Sequence, residues 1–571
     1  MKSKVMTIKL GNQSKNYLKL VFLLIIFLAG VLRFSFLGQN PPGLTNDEAD
    51  IGYDAYSILK TGKDQWGELF PLSAFRGFGD YRPPVYTYLV VPSIALFGLN
   101  EIAVRFPSAL IGLLTVILSF FLVKKLFNEK TALIVSFLLA ISPWHIEMSR
   151  VGIESNAAVF LTVLAVYLFF LSFKNNKLLI LSAIVIVLDL YTYYSMRVFV
   201  PVICLALFLL YRNNLLGAFK IALLSLFLGI VLMIPIAKSF TKSGGQGRLG
   251  QITFTKDVGL LNNINEKKGA CQTKLPSIVC KTVYNKPVTY FSTFIANYIN
   301  HFSPNLLFLS GSSTSLSVIP PRGFLYLFEL PFLIIGIIYL AAKRTKENIF
   351  FLIWIFVAPL ADSLTSSGHY SRMFAFLPAL QIATATGFML VYEGLKKASF
   401  PLTKILISIF IIISLVSLGA FITDYSTYYP TFFSRSSHYG YKELFQYLKE
   451  NENKYSEIFI SNKYYDTKQY IFYLFFTQYD PARYQTAEAK NTERENDGWI
   501  RVSRVDNFHF VNTIPGANDL KPTSLIVADP KEFPQKIKTQ KVFYDLKGDP
   551  TFSLVLASDL LLYKAENKNY E

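Results

Sequence analysis

Charge is scarce in this chain of 571 residues: Asp, Glu, Lys and Arg make up 16% of it, whereas 52% is hydrophobic. A soluble enzyme of this size carries about a quarter charged residues, so the composition excludes a soluble globular fold. Cysteine is nearly absent, with Cys204, Cys271 and Cys280 the three present. They are too few for a disulfide scaffold and lack the C-x-x-C spacing of a zinc site. Acid is the scarcer sign, 38 Asp plus Glu against 56 Lys plus Arg, for a net charge of +18. In a membrane protein that excess belongs in loops facing the anionic cytoplasmic leaflet, which makes nucleic acid a poor explanation of it.

What the chain does have is long apolar runs. Residues 1–16 hold Lys2, Lys4, Lys9 and Lys15 with no acid and read as a cytoplasmic N-terminus. The run from Tyr17 to Leu37 is long enough to cross a ~30 Å hydrocarbon core and reads as an anchor rather than a cleaved signal. Further runs lie near 101–123, 131–147, 156–173, 178–195, 197–211, 215–237, 324–342, 347–362, 371–394 and 403–425. The expected fold is an α-helical polytopic membrane protein of about eleven transmembrane helices.

Orientation follows from the basic residues in alternate short loops. Lys124, Lys125 and Lys130, then Lys174 and Lys177, then Arg212 and Lys220, then Lys343, Arg344 and Lys346, then Lys396, Lys397 and Lys404 fall on one side. The positive-inside bias makes that side the cytoplasm. Segments 38–100, 144–155, 238–323 and 363–370 then face outside. The apolar stretch from Pro83 to Leu99 is short and contains Pro92. A crossing there would invert every later basic loop, so it reads as a juxtamembrane helix in the outer interface. Residues 17–425 form the expected transmembrane domain. The charged remainder, 426–571, has a helix-like stretch at Tyr441–Leu448 and strand-like ones at 457–461, 508–511, 524–527, 542–544 and 552–556. A small extracytoplasmic α/β domain is predicted there.

Several clusters at the outer side are able to carry chemistry. Thr45-Asn46-Asp47-Glu48 opens an amphipathic helix, and the Thr45–Glu48 spacing is that of a capping box, so Glu48 reads equally as a cap. Asp47 suits the helix dipole, and at a membrane–water boundary it is able to take a proton from an acceptor hydroxyl. In Gly79-Asp80-Tyr81-Arg82-Pro83-Pro84 the prolines set Arg82 at the mouth of the interfacial helix, where a guanidinium grips either a lipid phosphate or bulk headgroups. Met148 to Asn156 includes Arg150 and Glu154, an acid at a depth that demands a partner or a site. Asp362, His369 and Arg372 lie at the outer ends of the ninth and tenth runs.

An inside N-terminus, Asp-Glu opening an amphipathic helix, a basic residue before Pro-Pro, and Arg-x-x-x-Glu at the next outer junction together resemble one family. It is the protein O-mannosyltransferase and aminoarabinose-transferase branch of the C-type membrane glycosyltransferases. The resemblance covers roughly residues 17–425 and is most specific over 33–160. It implies a polyprenyl-phosphate sugar donor and a catalytic base in the first outer loop, mapped onto Asp47 with Glu48 beside it. It maps a second active-site acid onto Glu154, where the family often has Asp, and lipid-phosphate contact onto Arg82. Arg150, His369 and Arg372 are further candidate phosphate contacts.

The implied reaction is inverting hexosyl or pentosyl transfer to a hydroxyl of a protein, lipid or glycan at the outer face of the plasma membrane. No cofactor is required; a divalent metal is compatible but not implied. The alternatives are a lipid-linked polysaccharide polymerase or ligase, and a lipid-sugar transporter. A transporter calls for ionisable groups near the bilayer midplane, and Asp189 is the main one here. Cys271 and Cys280 lie in a segment read as extracytoplasmic, where thiols oxidise, and are expected to pair; Cys204 falls within a span and stays free.

Overall fold

The computed structural model describes residues 12–241, 253–312, 322–463, 468–494, 500–516 and 519–566. The N-terminal segment 1–11, with Lys2, Lys4 and Lys9, lies outside these residues. Helix α1 (Asn12–Phe34) leads into a long loop that holds α2 (Asn46–Thr61) and α3 (Val85–Phe97). The bundle continues with α4 (Glu101–Leu126), α5 (Glu129–Ile141), α6 (Pro143–Ser149), α7 (Glu154–Ser172), α8 (Leu178–Leu190), α9 (Met196–Gly217) and α10 (Phe219–Thr241). Helices Glu329–Lys343, Lys346–Val357, Phe376–Ala398 and Phe400–Thr423 complete it.

Every predicted apolar run is largely helical, although 131–147 and 215–237 each straddle two helices. Length and composition alone qualify six of the described helices as full crossings, or seven if α5 and α6, bent by 61° at Ser142, count as one. Eleven runs do not translate into eleven crossing helices by this measure, because turns shorten several of them. Helix α8, for example, stops at Leu190 after 13 residues, against the roughly 20 that a crossing needs. Helix α3 also has 13 residues, about 20 Å at 1.5 Å per residue, which is too short to span.

The domain boundary expected after Tyr425 lies inside a helix. The Phe400–Thr423 helix runs through a π-type turn, Asp424–Tyr428, into Tyr429–Phe433. Phe421, Tyr425, Tyr429 and Phe433 recur one turn apart and are all buried in one apolar cluster, which holds the extension in register.

Past it lies a seven-stranded sheet. Following the first-loop hairpin strands β1 (Phe75–Arg76) and β2 (Tyr81–Arg82), its strands are β3 (Ile458–Ser461), β4 (Lys490–Arg494), β5 (Ile500–Val505), β6 (Phe508–Val511), β7 (Leu525–Ala528), β8 (Lys541–Tyr544) and β9 (Pro550–Leu556). Their order is β4-β5-β6-β3-β7-β9-β8, with β3 parallel to β6 and β7 and the remaining pairs antiparallel. Successive side chains face opposite ways, so Ile458, Ile460, Leu525 and Val527 join one core while Phe459, Ile526 and Ala528 join another.

The first of those cores is shared with the membrane domain. It contains Tyr53 and Ala55 of α2 and Tyr86 of α3 together with Tyr470, Phe472 and Phe475 of the helix Gln469–Phe476. Gly52 permits the approach: a Cβ there would come within 2.5 Å of the Phe475 ring and 2.7 Å of Val104. The C-terminal domain is thus packed directly on the loop helix that carries Asp47.

Candidate active site

Helix α2 begins where the capping-box spacing placed it. Thr45 Oγ1 accepts from Glu48 N at 3.1 Å and Glu48 Oε2 accepts from Thr45 N at 3.0 Å. Its end is set by Gly62, whose φ of 71° is left-handed and whose N–H donates to Ile58 O. The β1–β2 hairpin then turns at Gly79, φ 119°, and delivers Arg82 beside α2 just before Pro83 and Pro84 open α3.

One cavity of about 210 Å³ gathers five of the nominated residues: Asp47, Arg82, Glu154, His369 and Arg372 all line it. They come from the start of α2, the hairpin, the start of α7 and the loop before Phe376–Ala398, all at the same end of the bundle. Asp47 is exposed to the cavity. Glu154 is nearly buried at the first position of α7. Tyr193, Tyr194, Thr365 and Ser371 add hydroxyl groups to the lining.

Arg82 is more committed than its position at the cavity implies. It forms an ion pair with Asp50 and another with Asp54 at 3.3 Å, and its Nη1 donates to the backbone carbonyl of Asp47 at 3.1 Å. Asp50 and Asp54 are fully buried, and the sequence reading missed them. The signal was present, since Asp47, Asp50 and Asp54 are spaced along one side of the helix.

Arg372 is differently placed. Its Nη1 donates to Thr365 Oγ1 at 2.7 Å, and among the described residues no carboxylate forms an ion pair with it. The loop that carries it is organised by Asp362, whose carboxylate accepts from His301 Nε2 at 2.8 Å, Ser366 Oγ at 2.5 Å and His369 N at 2.6 Å. His301 had no signal in the sequence, lying 61 residues before its partner. The imidazole of His369 shares a hydrogen bond with Ser371 Oγ at 3.0 Å, which in turn bonds Tyr193 Oη at 3.0 Å.

Two of the nominated residues lie off the cavity. Glu48 does not line the cavity: it is buried, its Oε1 accepts from Arg105 Nε at 2.8 Å and Gly152 N at 3.0 Å, and its Oε2 closes the capping box. Both oxygens are engaged within the protein, so Glu48 acts as a brace. Arg150 does not line the cavity either. It is buried, donates to the backbone carbonyls of Leu32 at 3.0 Å and Asn40 at 2.9 Å, and lies over the Tyr425 ring at 5.4 Å. Its charge closes the end of α1 instead.

Cys271 and Cys280 form a disulfide with their Cα atoms 5.7 Å apart, and Cys204 is free. Among the described residues no group of three or more His, Cys, Asp or Glu is placed to hold a metal ion.

Residues 81–237 match the family model described as dolichyl-phosphate-mannose-protein mannosyltransferase. The chain is similar over its whole length to the crystal structure of ArnT from Cupriavidus metallidurans, with a TM-score of 0.51 and coverage of 96% of this chain and 99% of that one. The chain shares the fold of ArnT. Identity to ArnT is 12% in the apo state and 11% in the structure bound to undecaprenyl phosphate. Among curated proteins it is 29% identical over 158 residues to an uncharacterized protein of Aquifex aeolicus and 28% identical over 175 residues to the candidate mannosyltransferase YkcB of Bacillus subtilis. The matched stretches span 30% and 23% of those two relatives, and 27% and 30% of this chain.

Proposed function

We propose that this chain transfers a monosaccharide from a polyprenyl-phosphate donor to an acceptor hydroxyl, with inversion. The observation that carries the reading is the pairing, across one small cavity, of an exposed carboxylate, Asp47, with a guanidinium that has no acid partner among the described residues, Arg372. The carboxylate accepts the hydroxyl proton as the acceptor oxygen bonds to the anomeric carbon. The bond from that carbon to the phosphate oxygen breaks, and its electron pair leaves with the lipid phosphate. Arg372 and His369 meet the charge that develops there, and Arg82 holds the backbone of Asp47. Charge neutralisation of this kind assigns no step to a metal ion.

The apolar helices around the cavity give a prenyl chain a lateral route from the bilayer. The distribution of basic loops in the sequence supports an extracytoplasmic cavity end. ArnT was solved with undecaprenyl phosphate bound, which favours a lipid monophosphate donor here over a pyrophosphate-linked oligosaccharide. The acceptor is a protein, lipid or glycan hydroxyl that reaches the cavity from the aqueous side.

The test is incubation of the purified protein with a panel of polyprenyl-phosphate hexoses and pentoses, scoring release of free polyprenyl phosphate. Release from at least one member by the native chain and none by Asp47→Asn supports the reading. No release from any member of the panel, with transfer seen when a polyprenyl-pyrophosphate oligosaccharide is supplied instead, makes the protein a polymerase or ligase.

A further inference from the structure

Asp50 and Asp54 sit one turn apart on α2, both with no exposure to solvent, and both converge on Arg82. Gln65 ties the pair together, its Nε2 donating to Asp50 Oδ1 at 2.5 Å and its backbone N to Asp54 Oδ1 at 3.1 Å. One guanidinium is shared between two carboxylates in a dry site. The uncompensated negative charge is costly there, and a proton is the cheapest way to remove it. Resting on the donor reading above, we propose that Asp50 and Asp54 act as a proton-holding pair that decides how much of Arg82 is offered to the cavity, so that binding of a phosphate diester is coupled to proton uptake.

The geometry gives Arg82 two competing clients. Its Nη2 meets the pair, its Nη1 donates to the carbonyl of Asp47, and the residue lines the cavity. A phosphate entering the cavity draws the guanidinium away from the carboxylates, and the charge thus exposed on the pair is quenched by a proton from solvent. No covalent bond changes in this step. Burial pushes the Asp50 carboxyl up to about 6 against the opposing pull of Arg82, and burial together with the charge of Asp50 raises Asp54 well above the usual carboxylate range. Proton exchange on the pair therefore falls within the working range of pH.

Other charged and titratable groups surround the pair, among them Asp80, whose Oδ1 borders the space over Gly77 together with Asp50 Oδ2, and Tyr88, which feels the charge of Asp54. Asp47 and Lys468 act on Asp50, Asp64 acts on Asp54, and Asp47 and Glu154 act on Arg82. From the C-terminal domain, Tyr470 and Tyr484 are buried beside both carboxylates. Asp50 and Asp54 act through Arg82, so they are positioning residues.

The experiment is calorimetric titration of the full-length protein in detergent with a prenyl methyl phosphodiester, whose single charge does not titrate between about pH 5 and 9. Affinity is expected to be about tenfold higher at pH ~5.5 than at pH ~8, with proton uptake visible as a dependence of the binding enthalpy on the buffer. The double substitution Asp50→Asn with Asp54→Asn is expected to flatten the pH dependence and abolish the uptake. Asp54→Asn alone, which keeps the Asp50–Arg82 pair and therefore the fold, is expected to show the same loss above pH ~7. A flat affinity in the native protein overturns the coupling. So does a slope that survives in Asp54→Asn and disappears in His369→Gln, which assigns the proton to the imidazole. No binding at any pH overturns the donor reading itself.

Discussion

Asp47 and Glu48 are adjacent in sequence and face opposite environments: Asp47 opens onto the cavity, while Glu48 is 1% exposed and spends both oxygens on Arg105, Gly152 and Thr45. Neighbours on a helix point about 100° apart, so one turn of α2 supplies both a carboxylate open to the cavity and a brace buried behind it.

For Asp47→Asn we expect turnover to fall by about 10²- to 10⁴-fold, the contribution of a positioned general base. Donor affinity and thermal stability are expected to stay near the native values, because the amide keeps the shape of the carboxylate. A radiolabelled-sugar transfer assay run beside a donor-binding titration checks this, and near-native turnover would remove Asp47 from the mechanism.

Glu48→Ala removes the partner of a buried guanidinium, since Arg105 is itself fully buried. Breaking such a pair costs about 3–5 kcal/mol, more than the ~1 kcal/mol of a lost cap. A large drop in the thermal unfolding temperature in detergent is expected for Glu48→Ala, with Glu48→Gln intermediate. An unfolding temperature equal to the native one would show that Glu48 is not a brace.

Arg372 and Arg150 should separate cleanly. Loss of a charge-assisted hydrogen bond to donor phosphate in Arg372→Ala is worth about 1.5–3 kcal/mol, a rise of roughly 10- to 100-fold in the donor KM. Arg372→Lys is expected to recover part of it, keeping the charge but losing the fork. Arg150→Ala lowers the unfolding temperature and leaves the donor KM of the folded fraction unchanged. Steady-state kinetics on both variants, normalised to folded protein, decides between these outcomes.

Mass spectrometry of unreduced, alkylated protein is expected to find a peptide linked through Cys271 and Cys280, with Cys204 alkylated once the chain is unfolded. In the loop-entropy model such a short closure contributes on the order of 3 kcal/mol, less any strain. Alkylated Cys271 and Cys280 in the native protein would count against both the pairing and the extracytoplasmic placement of their loop.

The sequence by itself determined the class of molecule and the five charged or imidazole groups nominated at the cavity. Apolar runs mark helices because backbone groups in lipid must be satisfied within the segment, and the capping box at Thr45–Glu48 marks the start of α2 because those contacts are local. Periodicity also found five of the seven strands of the tail. It missed β4, an edge strand whose Asn491, Thr492 and Glu493 are exposed, and β5, which begins beside it. Edge strands carry polar residues to discourage pairing with other chains, and so lose the apolar alternation that reveals a strand.

Tertiary structure alone decided which charges serve the cavity and which hold the fold. Arg82 and Arg150 read alike in sequence, as cations at outer junctions, yet one lines the cavity between two acids and the other closes on carbonyls more than 100 residues away. The His301–Asp362 contact and the packing of Phe475 on Gly52 likewise join segments far apart in the chain. A charged side chain takes the role of whichever partner reaches it when water is excluded. That partner is chosen by how helices and loops pack in three dimensions, and no local pattern encodes it.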